Sequence, residues 1–339
     1  MSMTNTPLPH QRRVARALRP GGPEVLDVTV EDLRPLNAGE VLVRVEAAGL
    51  NHVDSLVRSG TYSIRFPFPH AVGVEGAGTV VAVAADGGLA PGTRVCWTAV
   101  VGSCATFVIA PAVMLARLPD EVSAEVGASA AHAAVTAAGL VRHCPIPEGG
   151  TAVVWAAAGA VGRMLVAFLA ARGVCVIGIA SGARTKAALD AGAAHVVDRS
   201  IADVVEEVRR HTSGKGASAV FDPVGAATCD ANLRLLAPRG CLVNYGQLSG
   251  ALPDIDLGQL MEAGSIFVTK YGPRAGVVGL ENLAGFISEG LALAMTRPIV
   301  SAAAVRLPLS RVAEAYQALD SGPAGKVLVL PQSLPAESA

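Results

Sequence analysis

The 339-residue sequence predicts an α/β protein: a doubly wound parallel sheet joined to a second, β-rich domain that is discontinuous in the chain. Three observations predict it. From Thr151 onward, short apolar runs alternate with helical segments, the rhythm of parallel strands linked by crossover helices. The first of those runs, VVWAAAGAVG at 153–162, breaks into small residues before continuing as a helix. Residues 1–130 follow a different pattern, with short alternating strands punctuated by Gly21-Gly22-Pro23, Pro67, Pro69 and Gly87-Gly88.

In chain order, residues 41–46 (VLVRVE) alternate at period two, as a half-buried strand does. A helix is expected over 52–59, strands over 76–85 and 91–97, and an alanine-rich helix over 123–144 that Pro145 and Pro147 stop. Strands then fall at 151–156, 174–180, 195–198, 218–222 and 241–245, with helices at 160–172, 183–191, 201–212 and 228–237. A strand at 265–270 adds to one edge, and helices at 281–296 and 310–320 precede a last strand at 326–330. The expected domains are 131–271 for the parallel sheet, and 1–130 with 272–339 for the β-rich unit.

A net charge of −1 argues against a polyanion-binding surface, so no nucleic acid partner is expected. Hydrophobic residues make up 51% and mean hydropathy is +0.46, but the most apolar region, 164–180, is interrupted by Arg172 and Gly173. No membrane span is expected, and the apolar surplus fits a sheet buried on both faces. The first residues lack the apolar run of a secretory signal, and the six cysteines form no C-x-x-C pair. The expected location is cytoplasmic.

Ala157, Gly159 and Gly162 stand at the spacings of a Rossmann-type dinucleotide turn. The turn offers the backbone of Ala158, Gly159, Ala160 and Val161, at a helix N-terminus, to a pyrophosphate. An NAD site places an acid about 20 residues on, against the adenine ribose. Here the next strand ends at Ala180-Ser181 with no acid, and Ser181, Arg184 and Lys186 follow. A hydroxyl and two cations attract a 2′-phosphate, so NADPH is the expected cofactor. The loop Tyr245-Gly246-Gln247 lies after the fifth strand, at the ligand-binding end of such a sheet, and Pro223 and Gly225 follow the fourth.

With these residues in place, the chain resembles the zinc-independent quinone oxidoreductases, the ζ-crystallin-like branch of the medium-chain dehydrogenase/reductase superfamily. The motifs are GLNHVDSLVRSGTYS (49–63), FPHAVGVEGAGTV (68–80), VVWAAAGAVG, FDPVGAAT (221–228), NYGQLSG (244–250) and GKVLVL (325–330). The resemblance implies a GroES-like catalytic domain and a reductase passing hydride from NADPH to a quinone or α,β-unsaturated carbonyl. It implies no zinc, because Asn51 and Val74 stand where the zinc enzymes carry ligands.

By the same resemblance, Asn51 lies beside the nicotinamide to position a substrate carbonyl; the competing reading makes it the N-cap of helix 52–59. Tyr62 matches a cleft tyrosine that donates to an enolate, or else packs at the surface. Thr136 matches a threonine near the nicotinamide ribose, or sits inertly in its helix. His132, one turn earlier, is either a proton donor or structural. Glu75 is expected to hold loops rather than to catalyse. Lys326 is placed over the cofactor, or is a solvated strand start. Strand 265–270 implies a homodimer through paired edges. An enoyl-thioester reductase and a non-catalytic NADPH-binding, crystallin-like protein are the alternatives.

Overall fold

The structure, a computed structural model, describes residues 9–62, 64–272, 279–300 and 302–332. It opens with β1 (Gln11–Ala17), β2 (Leu26–Asp32), β3 (Glu40–Leu50) and α1 (His52–Ser59). Next come β4 (His70–Ala71), β5 (Glu75–Val83), β6 (Arg94–Trp97), β7 (Phe107–Pro111), β8 (Ala116–Arg117) and α2 (Ala124–His143). The alternating stretch is β9 (Thr151–Val154), α3 (Ala160–Ala170), β10 (Cys175–Ala180), α4 (Thr185–Asp190), β11 (His195–Asp198) and α5 (Val204–His211). It continues with β12 (Ala217–Asp222), α6 (Cys229–Leu235), β13 (Leu236–Asn244), α7 (Leu257–Glu262) and β14 (Phe267–Lys270). The chain closes with α8 (Leu283–Thr296), β15 (Ala303–Pro308), α9 (Val312–Asp320) and β16 (Lys326–Leu330).

Two compact units result. The first takes Met1–His132, Leu280–Ser288 and Ser301–Ala339, the second Ala133–Gly279 and Glu289–Val300. The division expected from sequence gave all of 272–339 to the first unit; the structure gives the second half of α8 to the other. Glu289 pairs with Arg142 and Arg172, and Gly290 lies against Ala134, so that half packs among the helices of the parallel-sheet unit.

In the second unit six strands run in the order β11-β10-β9-β12-β13-β14, every neighbouring pair parallel. Val153, Ile177, Val220 and Leu242 are fully buried along it, as runs covered on both faces require. Gly162 lets α3 press onto the turn before it. A Cβ there would stand 2.2 Å from the Ala156 oxygen and 2.8 Å from the Ala157 Cα.

In the first unit a seven-stranded sheet runs β15-β16-β3-β5-β6-β8 with β7 also on β3, beside a small sheet β2-β1-β4. Strands β1, β2, β4, β7, β8 and β15 had no counterpart in the sequence reading. They are short, or carry arginines and acids that blur the alternation, and pairing with neighbouring strands fixes them. Helix α2 is long and apolar enough to cross a membrane by length and composition alone. Within the protein 72% of its apolar window is buried, so it packs as a core helix.

Gly162→Ala is expected to cost about 1–3 kcal/mol through overpacking, read as a lower denaturant midpoint with unchanged slope.

Candidate functional site

In the first unit, strand register assembles a buried polar cluster. Val327 pairs with Leu50, and Gly49 pairs with Glu75, so the ends of β16, β3 and β5 bring Lys326, Asn51 and Glu75 together. The Lys326 Nζ donates to Glu75 Oε2 at 2.6 Å and to Asn51 Oδ1 at 2.8 Å. Asn51 Nδ2 donates to the same Glu75 oxygen at 2.8 Å, and the His132 backbone N–H donates to Glu75 Oε1 at 2.7 Å. Glu75 is 0% exposed and Lys326 6%, which removes the solvated-strand reading of that lysine. Desolvating the two ions costs several kcal/mol each, and the attraction plus full hydrogen bonding offsets it. Gly49 supplies the room, since a Cβ there would meet Glu75 Oε2 at 2.9 Å and Lys326 Cε at 2.8 Å.

Asn51 also begins α1. Its backbone is extended and its N–H donates to the Asp54 carboxylate at 2.7 Å, which fixes the first turn. The side-chain amide is turned instead to Glu75 and Lys326. Asp54 is 3% exposed. Burial pushes its carboxyl up to about 7, against the lowering effects of the Asn51 N–H and the Lys326 charge; Glu75 adds to the rise.

His132 projects from α2 with Nδ1 3.1 Å from Thr98 Oγ1. Burial holds its imidazole below the ordinary histidine value; Glu75 opposes that shift and Lys326 adds to it, so it is neutral at pH 7. Tyr62 is half-buried, its N–H bonded to the Leu56 oxygen at 3.0 Å.

In the second unit, Gly159 caps α3 and the helix starts at Ala160, so of the expected pyrophosphate residues Ala160 and Val161 lie in its first turn, whereas the Gly159 N–H donates to the Ala156 oxygen at 2.8 Å. Ala157, at the position usually taken by glycine, is buried, and its N–H donates to the Ile179 oxygen at 3.0 Å. Positive φ falls one residue earlier, on Ala156. Thr136 lies half-buried in α2.

At the tips of β10 and β11 the structure adds a residue that sequence reasoning missed. Ala180 pairs with Asp198, which sets Ser181 beside Arg199, and Arg199 Nε donates to Ser181 Oγ at 2.9 Å. The signal was the basic residue one step past the next parallel strand. Arg184 is exposed, and Lys186 is paired with Asp190 at 2.7 Å. Asp198 also lies there, accepting the Gly182 N–H at 3.0 Å. Its carboxyl is held below the usual range chiefly by Ser200, then by Gly182.

The loops after β12 and β13 are fixed from beneath by Asp222, which is fully buried. Its carboxylate accepts from the Val224 N–H at 2.7 Å, Asn232 Nδ2 at 3.0 Å and Thr228 Oγ1 at 3.1 Å. Gly246 is pressed against Pro223, whose oxygen would stand 2.3 Å from a Cβ. Its glycine is therefore required by loop packing. Lys270, also missed, donates to Asn244 Oδ1 and to the Gly246 oxygen and so clamps this loop. Tyr245 and Gln247 flank Gly246 and are half-buried.

Residues 37–148 match the family profile described as an alcohol dehydrogenase GroES-like domain, and 160–272 the profile described as a zinc-binding dehydrogenase. A quinone oxidoreductase of Pseudomonas aeruginosa is 36% identical over 256 residues, 74% of this chain and 78% of that one. Among solved structures, a mycobacterial protein complexed with NADPH has a TM-score of 0.83 at 35% identity. Escherichia coli quinone oxidoreductase complexed with NADPH has a TM-score of 0.83 at 29% identity. Each match covers 94% of this chain and 100% of the other.

The second profile description names zinc, and the residues here do not fit it. Val74 has no donor, both Glu75 oxygens are taken, and the Lys326 ammonium puts a positive charge 2.6 Å from one of them. Cys96 and Cys104 are buried; burial pushes the Cys96 thiol up to about 12 and Cys104 well above its ordinary value, against the thiolate zinc needs. Among the described residues no group of three or more His, Cys, Asp or Glu converges for a metal.

Lys326→Met leaves Glu75 buried without its counter-charge and is expected to cost about 3–5 kcal/mol of stability in denaturant unfolding. Adding Glu75→Gln to that variant should recover much of the loss. A second expectation concerns pH. Because Asp54 holds its proton to about pH 7 when folded, and the unfolded chain releases it near pH 4, the folded state binds more protons between those values. Stability therefore falls as pH rises from about 4 to about 7 and levels off above. Asp54→Asn should flatten that slope in unfolding curves taken across the window.

Proposed function

The chain belongs to the zinc-independent quinone oxidoreductases of the medium-chain dehydrogenase/reductase superfamily, and from that premise we propose how its residues divide the work of an NADPH-dependent quinone reductase. NADPH supplies a hydride when bound, and a quinone or α,β-unsaturated carbonyl accepts it with the charge spread as phenolate or enolate. The observation that carries this choice of acceptor is the Lys326–Glu75–Asn51 cluster. It stands where a metal-dependent relative would hold a Lewis acid, so the acceptor must delocalise its own charge.

The N–H groups at the start of α3, with Ala158, Gly159, Ala160 and Val161, take the pyrophosphate. Ser181, Arg184, Lys186 and Arg199 take the 2′-phosphate, and Arg199 also orients the serine hydroxyl. Pro223, Tyr245, Gly246 and Gln247 bind the rest of the dinucleotide at the strand ends, with Thr136 near the nicotinamide ribose. One amide hydrogen of Asn51 goes to Glu75. The other has only a 3.4 Å contact with the Gly49 oxygen and is the one available to a substrate carbonyl. Lys326 and Glu75 act through Asn51 as positioning residues. Tyr62 and the neutral His132 are the candidate donors to the developing oxyanion, and water supplies the final proton.

Enones extend the same chemistry, and a cytoplasmic site of action accords with six free cysteines. Dimerisation through β14 completes the proposal. That strand is the sheet edge, and Phe267 is 54% exposed on it, an arrangement that pairing across a two-fold axis would cover.

Arg199→Ala should raise the KM for NADPH about 10- to 100-fold, the loss of one charge-assisted bond, while leaving NADH little changed. Initial rates with a benzoquinone, a 2-enal and a crotonyl thioester test the acceptor. The benzoquinone and 2-enal should turn over with NADPH well ahead of NADH. Turnover of the thioester alone would replace this reading with an enoyl-thioester reductase, and tight NADPH binding without turnover would leave a non-catalytic protein. Sedimentation at micromolar concentration should give a dimer mass; a monomer would remove the edge-strand pairing.

A further inference from the structure

The cofactor-binding unit carries a pair of thiols that hydride transfer leaves unused. Cys144 follows the last residue of α2, its N–H donating to the Leu140 oxygen at 3.1 Å, and Cys241 lies in β13. Cys241 pairs with Phe267 and Val243 with Thr269, so alternation puts these four side chains on one face of the sheet. The end of α2 packs on that face. His143 Nε2 lies 3.0 Å from Thr269 Oγ1, and the Cys144 thiol hydrogen-bonds Cys241. That bond lowers the proton affinity of Cys241 and raises that of Cys144, while burial disfavours ionisation of both. Both side chains are half-buried, whereas Cys96, Cys104 and Cys229 are buried.

We propose that Cys144 and Cys241 form a reversible dithiol–disulfide modification site whose oxidant is a peroxide. The thiolate of Cys241 attacks one peroxide oxygen; an S–O bond forms, the O–O bond breaks, and the departing oxygen leaves as water or alcohol. Cys144 then gives up its proton and attacks the sulfenic sulfur; the S–S bond forms and the S–O bond breaks, releasing water. Two thiols are oxidised by two electrons and the peroxide is reduced by two. The adjacent second thiol is what separates this pair from a lone cysteine, which would continue to sulfinic acid. The new bond ties the end of α2 to the strand that leads into the Tyr245–Gln247 loop.

The test uses the full chain, reduced and desalted, then exposed to hydrogen peroxide. Thiols are counted in denaturant, and peptides are mapped without reductant. The expected result is loss of two of the six thiols, one peptide linking Cys144 to Cys241, and full recovery with dithiothreitol. Cys144→Ser should abolish the link and carry Cys241 on to sulfinic acid, whereas Cys241→Ser should leave Cys144 as a thiol. Six unreacted thiols, a link through Cys175, a link between chains, or sulfinic acid at Cys241 of the unaltered protein would each overturn the proposal.

Discussion

The buried pair between Lys326 and Glu75 is the constraint on which the catalytic unit depends. Two ions taken from water survive there only because every partner is in place: Asn51 bridges them, the His132 N–H caps the second carboxylate oxygen, and Gly49 leaves space. The pair joins segments far apart in sequence, since Lys326 comes from the returning strand β16 while Asn51 and Glu75 lie at the ends of β3 and β5. In the proposed function the same pair stands in place of a Lewis acid, and a quinone, which spreads its own negative charge, has the least need of one.

The cofactor unit is organised by a different rule: what matters gathers at the carboxyl ends of parallel strands. Close packing at Gly162 and the buried carboxylate of Asp222 fix the loops. Beyond the tips of β10 and β11 stand Ser181, Arg184, Lys186 and Arg199, the residues proposed to take a 2′-phosphate. The set is mixed, because Arg199 and Asp198 come from the same strand end with opposite charge. Asp198 is already occupied by the Gly182 N–H and by Ser200.

Much of this was legible in the sequence, and the boundary of legibility is physical. The parallel sheet declared itself because buried strands and crossover helices are local patterns; the strand expected at 195–198 and the last strand at 326–330 coincide with β11 and β16. The β-rich unit was read only in part, because β1, β2 and β15 are made by pairing with other strands rather than by their own periodicity. Asn51 and Lys326 were visible as candidates, but not their mutual hydrogen bond, which only strand register creates. Arg199 and Lys270 were invisible for the same reason: each acquires its place from a neighbouring strand.

The lysine-occupied cluster is proposed to support hydride transfer to a quinone without a metal. Metal content of the purified protein, measured beside benzoquinone-dependent NADPH oxidation before and after exhaustive treatment with a zinc chelator, tests it most directly. Far less than one zinc per chain and an unchanged rate are expected. One tightly held zinc per chain, with activity lost on chelation and restored by the metal, would contradict it.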